Sequence, residues 1–144
     1  MNGCGEVATP AMDDVVPLLD AAALPSADID ETLLAHFIAV RLDGQVAGIA
    51  GLEPCGRDGL LRSLVIQDMH RRSGLGRYLV MEAERRAAGI GIRTLYVLTN
   101  TAADFFRRCG YSDWPRDAAP AAIRRTREFS SLCPDDAAFL RKRL

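Results

Sequence analysis

Apolar and polar positions along the chain change period several times, and each change marks an element. Glu6-Val7-Ala8 reads as a short strand, and Thr9-Pro10 as a helix start, a capping hydroxyl ahead of a proline at the first helical position. Val15, Val16, Leu18, Leu19 and Ala22 then fall on one helical face, although Pro17 comes early in that helix and would strain a longer one. Leu24-Pro25-Ser26 breaks it, and Asp28 or Asp30 caps a second, short helix through Thr32-Leu33-Leu34. Next the period drops to two. Residues 36–42 alternate as a strand, Asp43-Gly44 signals a hairpin turn, residues 45–52 form the return strand, 54–59 a loop, and 60–66 a third strand. Three strands joined by short turns predict an antiparallel meander.

From residue 74 to 88 the period becomes helical: Leu75, Leu79, Ala83 and Ala87 form a stripe with Val80 beside it, and Glu82, Glu84, Arg85 and Arg86 lie largely off it. Gly89 is expected to end this helix. Residues 93–99 read as a strand, so strand, crossover helix and strand make a βαβ unit whose two strands run parallel. A short helix over 101–108 closed by Cys109-Gly110, a tail helix from 120 to about 128 and a last strand over 137–141 complete an α/β chain.

Length and composition narrow the classes. The 144 residues suit one domain, 1–144, and 49% hydrophobic with 26% charged residues is the balance of a soluble globular protein. A net charge of −1 excludes a chain-wide basic field for nucleic acid, although arginines gather at Arg71, Arg72 and Arg77, at Arg107 and Arg108, and over 124–127. The four cysteines, Cys4, Cys55, Cys109 and Cys133, form no CxxC pair and match no zinc or disulfide spacing, which points to reduced thiols in a cytoplasmic protein without a metal. The start Met1-Asn2-Gly3-Cys4-Gly5-Glu6 does not resemble a signal peptide, and the apolar runs are far too short to span a membrane.

The chemistry concentrates between Ile66 and Leu79. A strand ends, a loop carries Arg71, Arg72, Ser73, Gly74, Leu75, Gly76 and Arg77, and an amphipathic helix opens. The first amides of a helix have no intrahelical partner and lie at the positive end of its dipole; two glycines let an anion approach them. These features together describe a pyrophosphate cradle. A nucleoside-triphosphate loop would need Gly-Lys-Ser/Thr where Gly76-Arg77-Tyr78 stands, and a dinucleotide fingerprint would need glycine at Leu79.

Arg71-x-x-Gly74-x-Gly76 after the strand Leu64-Val65-Ile66 resembles motif A of the GNAT family of N-acetyltransferases, and the order of elements is similar over nearly the whole chain, including Phe105-Phe106-x-x-x-Gly110-Tyr111. The resemblance implies the GNAT fold: a mixed, mostly antiparallel sheet flanked by helices, with a central βαβ unit that binds CoA and whose two parallel strands splay apart. It implies acetyl-CoA as co-substrate, with the backbone of Leu64, Val65 and Ile66 on the pantetheine arm, amides from Arg71 to Arg77 on the pyrophosphate, and Asn100 or Thr101 near the arm. Gly51-Leu52-Glu53-Pro54, Leu61-Arg62-Ser63-Leu64-Val65, Thr101-Ala102-Ala103-Asp104-Phe105-Phe106 and Ala119-Pro120-Ala121-Ala122-Ile123, with Glu128-Phe129 and Leu132-Cys133-Pro134, resemble the small N-acetyltransferases of arsenic-resistance operons. That subgroup is similar to the acetyltransferase domain of N-acetylglutamate synthase.

Two departures stand out: Asp68 where the family often has proline, and Phe106 where many members have a tyrosine as general acid. A thiol pKa of about 8.5 makes CoA a tolerable leaving group without one. An ammonium acceptor, by contrast, needs a base. Glu53 is the candidate, as base or as a solvated loop glutamate, and by resemblance the Val65 amide is the oxyanion donor. Arg62, with Ser63, either binds a substrate carboxylate or points to solvent. His70 reads as a lone loop histidine, His36 as structural, Arg124-Arg125-x-Arg127 with Glu128 as a solvated helix face, and Cys133 as an inert thiol or a contact for substrate or a soft arsenical. The partner is then a small amine acceptor, with no nucleic acid or membrane and a homodimer left open. Acetylation of a protein amine and a CoA-binding regulatory module without turnover are the competing readings.

Overall fold

The computed structural model describes residues 5–132 and 136–144. In chain order the elements are β1 (Glu6–Ala8), α1 (Met12–Ala21), α2 (Glu31–Leu34), β2 (Phe37–Leu42), β3 (Gln45–Cys55), β4 (Asp58–Ile66), α3 (Leu75–Gly89), β5 (Thr94–Thr99), α4 (Ala103–Arg108), β6 (Ser112–Asp113), α5 (Ala121–Arg124) and β7 (Ala138–Arg143). The strands form one seven-stranded sheet in the order β1-β2-β3-β4-β5-β7-β6. The predicted βαβ unit is present, β4 pairing parallel with β5 from Asp58↔Thr94 to Leu61↔Val97, while β1-β2, β2-β3, β5-β7 and β6-β7 are antiparallel. The chain forms two compact units, Met1–Leu52 with Ser63–Ala83 and Glu53–Arg62 with Glu84–Leu144.

In the first unit the apolar face of α1 buries Val15 and Leu19 among Phe37, Ala39, Ile49 and Val65. α1 begins later than Thr9-Pro10 suggests. Its N-cap is Ala11, whose amide donates to the Asp14 carboxylate at 3.0 Å, so an acidic side chain in the first turn replaces the expected hydroxyl. Pro17 stands inside α1, and the helix still runs on to Ala21. Asp30 rather than Asp28 caps α2, accepting from the Leu33 amide at 2.9 Å. β3 continues through Pro54 to Cys55, where a loop was expected. Its pairing with β2 ends at Phe37↔Gly51, so Pro54 lies beyond β2 and needs no donor on that side.

The second unit packs Leu60, Tyr96, Ala119, Ile123 and Phe139 into one cluster, with Tyr96 stacked on Phe139 at 5.4 Å. Gly89 belongs to α3 and does not stop it. Gly91, at φ +92, is the left-handed residue: its amide donates to Ala88 and that of Ile92 to Ala87, the paired bonds of a Schellman closure. The tail helix expected over 120–128 divides into α5 and a π turn over Glu128–Leu132. The buried Thr126 hydroxyl donates to the Ile123 carbonyl at 2.7 Å and accepts from the Phe129 amide at 3.3 Å, competing with helical backbone bonds there. β6 has two polar exposed residues and hence no hydrophobic signal; pairing with Leu140 and Arg141 forms it. A polar tie joins α3 to β7: Tyr111 Oη donates to Glu84 Oε2 at 2.9 Å, and Lys142 Nζ to Glu84 and to the Cys109 carbonyl. Burial first, then the Glu84 carboxylate, pushes the Tyr111 phenol far above its ordinary range, so it stays a donor.

Candidate active site

In the first unit, β4 gives way after Ile66 to a 3-10 turn over Asp68–His70 and then to α3. Arg72 and Gly74 take left-handed backbone, φ +63 and +85. The first bond back along the helix is Tyr78 N–H to Gly74 O at 3.1 Å, so the amides of Leu75, Gly76 and Arg77 are first-turn donors. Arg71, Arg72, Ser73, Gly74 and Arg77 are exposed, and Leu75 is buried as an anchor. A Cβ placed on Gly74 would meet nothing within 4 Å, so the loop is open on that side. Arg71 and Ser73 also brace the loop: Arg71 Nε reaches the Ile66 carbonyl at 3.5 Å and Asp68 at 3.3 Å, and the Ser73 hydroxyl donates to the His70 carbonyl. Asp68, the carboxylate partner of Arg71, is itself exposed.

β4 carries two further features. Its parallel register with β5 runs from Asp58 to Leu61, and Ser63 takes left-handed backbone at φ +57 while buried. A non-glycine residue held there costs on the order of 1–3 kcal/mol, a conformation found where the surroundings over-determine it and concentrated at functional sites. After it come Leu64 and Ile66, half-buried, and Val65, which packs into the core.

In the second unit, Arg62 on β4 neither reaches solvent nor waits for an outside carboxylate alone. Its side chain is 0% exposed; Nη1 donates to Glu53 Oε1 at 3.0 Å, and Nε faces Glu128 Oε1 at 3.5 Å. Glu53 is therefore no loop residue: it stands on β3, ion-paired and 21% exposed. Glu128, expected on a solvated face, is buried, while its neighbours Arg124, Arg125 and Arg127 are exposed. Cys55 donates from Sγ to the Glu53 carbonyl at 3.6 Å. Burial, then Glu53 and Asp58, push this thiol up to about 11 against the pull of Arg125, so at neutral pH it offers no thiolate nucleophile.

Asn100 and Thr101 are exposed just after β5, where Thr99 Oγ1 accepts from the Ala102 amide at 3.0 Å. Phe106 is buried edge-on against Phe105 at 5.2 Å and Tyr111 at 5.6 Å, an apolar wall with no proton to give. Beside the π turn, Arg116, Asp117, Arg124, Phe129 and Ser130 line a cavity of about 460 Å³, with the Arg116 guanidinium over the Phe129 ring at 4.7 Å. His36 is exposed and His70 half-buried; Cys133 lies outside the described residues. Among the described residues no His, Cys, Asp or Glu group is arranged to hold a metal, and no helix is long and apolar enough to cross a membrane.

Residues 34–113, more than half of the chain, match the family model described as Acetyltransferase (GNAT) domain. Among solved structures, the chain is similar to N-acetylglutamate synthase from Neisseria gonorrhoeae complexed with coenzyme A and N-acetyl-glutamate, with a TM-score of 0.80, 21% identity, and coverage of 96% of this chain and 35% of that one. It is also similar to Rv2747 from Mycobacterium tuberculosis in complex with CoA and NLQ, TM-score 0.80, 19% identity, 96% and 99% covered. A Bacillus subtilis acetyltransferase in complex with CoA gives a TM-score of 0.69 at 18% identity, with 96% and 97% covered. At these identities the likenesses show the fold, and the chain spans about a third of the length of the Neisseria synthase. No curated protein matches it.

Proposed function

This chain belongs to the GNAT acetyltransferase family, and on that premise we propose that it moves the acetyl group of acetyl-CoA to an amine of a small, amino-acid-like molecule. The observation that carries the proposal is the junction of β4 and α3, where the left-handed Gly74 opens a row of first-turn amides on an exposed, arginine-rich loop. Acetyl-CoA supplies the acetyl group as a thioester. The chain's own residues do the rest. The Arg71 amide donates to the Asp68 carbonyl at 3.2 Å, so it is the amides from Arg72 to Arg77 that hold the pyrophosphate; the backbone of Leu64, Val65 and Ile66 lines the pantetheine arm with Asn100 or Thr101 near it, and the Val65 N–H donates to the thioester carbonyl oxygen.

Glu53 takes the proton of the acceptor ammonium, directly or through water. Its partial exposure lets an acceptor reach it, and its ion pair with Arg62 fixes where the carboxylate points. Arg62 and Ser63 belong to the acceptor side, the buried Arg62 guanidinium acting through Glu53. Arg116 and Arg124 beside the π turn suit an acceptor that carries a carboxylate. The N-acetyl-glutamate of the Neisseria complex supports an amino-acid-like acceptor. The stretches similar to arsenic-resistance acetyltransferases add an amine-bearing arsenical to the candidates, with action in the cytoplasm. Phe106, which donates no proton, favours as second reading a CoA-binding regulatory module without turnover.

Thiol release from acetyl-CoA separates the readings. Incubated with L-amino acids, spermidine, arsanilate and a lysine-containing peptide in turn, the protein is expected to release CoA thiol fastest with an amino-acid-like amine. Release only with the peptide would favour a protein substrate, and release with none would favour the regulatory module.

A further inference from the structure

We propose that Glu128, in the tail, is a positioning residue for acetyl transfer: acting through Arg62, it holds the Glu53 carboxylate in line with the acceptor amine. The inference rests on the assignment of Glu53 as base. Arg62 is a long side chain ending in a planar fork with donors on more than one edge. One edge, Nη1, donates to Glu53 at 3.0 Å, and Nε lies 3.5 Å from Glu128. Carboxylates on two edges of a rigid plane fix both its position and its rotation.

Exposure gives this chain of charges a direction. Arg62 and Glu128 are 0% and 5% exposed in their side chains, so neither meets the acceptor; Glu53, at 21%, is the end that does. Glu128 also opens the π turn over Glu128–Leu132, whose next residues, Phe129 and Ser130, line the cavity with Arg116 and Arg124. One turn of the tail thus pairs with Arg62 through Glu128 and lines the cavity through Phe129 and Ser130. A buried carboxylate is costly unless paired, which makes it an expensive way to fill space and a precise way to hold a guanidinium.

The test is a double-mutant cycle of Glu53→Gln and Glu128→Ala, with Arg62→Lys and Glu128→Gln beside it. It is read by thiol release with whichever of L-glutamate, spermidine and arsanilate turns over fastest, and CoA affinity by calorimetry reports the fold. Glu128→Ala, which removes the oxygen facing Arg62 Nε, is expected to lower kcat about 10–100-fold with KM for acetyl-CoA unchanged, the usual cost of misplacing a catalytic group. Glu128→Gln, which keeps an acceptor there, should recover part of the loss. Arg62→Lys, which keeps a charge but not the fork, should reproduce the loss. The double variant should be no slower than Glu53→Gln alone, because Glu128 acts through Glu53. Losses that multiply, or wild-type kcat in Glu128→Ala, would overturn the proposal and leave the base intact. If Glu128→Ala loses CoA binding, wild-type kcat in Arg62→Lys would overturn it equally. Wild-type kcat in Glu53→Gln would remove the base first and this proposal with it.

Discussion

Glu53→Gln is expected to slow turnover by about 10²–10⁴-fold while leaving acetyl-CoA affinity nearly unchanged, the usual worth of a positioned general base. An acceptor amine with a pKa near 10 arrives at neutral pH almost wholly as ammonium, which has no lone pair for the thioester carbon. Glutamine keeps the shape of the side chain and can still accept from Arg62 Nη1, now at 3.0 Å from Glu53 Oε1, but it cannot take a proton. The loss should shrink as pH rises toward the amine's own pKa, because more of the acceptor is then already neutral. Glu53→Asp should fall between, its carboxylate retained on a shorter stem. Were Glu53 only a binding group for a cationic acceptor, Glu53→Gln would raise KM with little change in kcat. Steady-state kinetics from pH 6 to 9 separate the two.

Gly74→Val is the second large effect: CoA affinity should fall at least about 100-fold, the worth of two lost hydrogen bonds to a charged group. Two causes act together. At φ +85 a β-branched residue is strained, and its side chain would occupy the open space beside the first-turn amides. Gly91→Ala controls for strain alone, because Gly91 is also left-handed, φ +92, with nothing within 4 Å of an added Cβ, but lies at the far end of α3. It should lower the melting temperature and keep CoA affinity. Titration calorimetry on both variants reads the difference, and undiminished affinity in folded Gly74→Val would mean that the glycine only starts a helix.

The meander, the βαβ unit and the glycine-bearing junction of β4 and α3 were legible because their signals are local: a period of two, a period near 3.6, and glycines where a strand meets a helix. The surroundings of Glu53 were not. Nothing near Glu128 marks it as buried, since it follows three arginines that are themselves exposed. Its burial depends on Arg62, far away in sequence, and a pairing of that kind leaves no local pattern. Arg62 was left between solvent and substrate for the same reason. Ser63 carries no turn signal that would announce its left-handed backbone. In the tail the apolar positions suggested one helix, but the Thr126 hydroxyl bonds to the backbone on both sides and divides it. At α1, Thr9-Pro10 matched a capping pattern that Asp14 fulfils from within the helix instead.

The central claim is that acetyl-CoA binds this fold at the loop between Arg71 and Arg77, and thermal unfolding with and without the ligand tests it most directly. At a hundred times its Kd, acetyl-CoA should add about 2.7 kcal/mol of stability, raising the melting temperature by roughly 5–10 °C. ATP and NAD at the same concentration should move it far less, because the loop lacks the lysine of one fingerprint and the third glycine of the other. A folded protein whose melting temperature stays fixed through saturating acetyl-CoA would contradict the account.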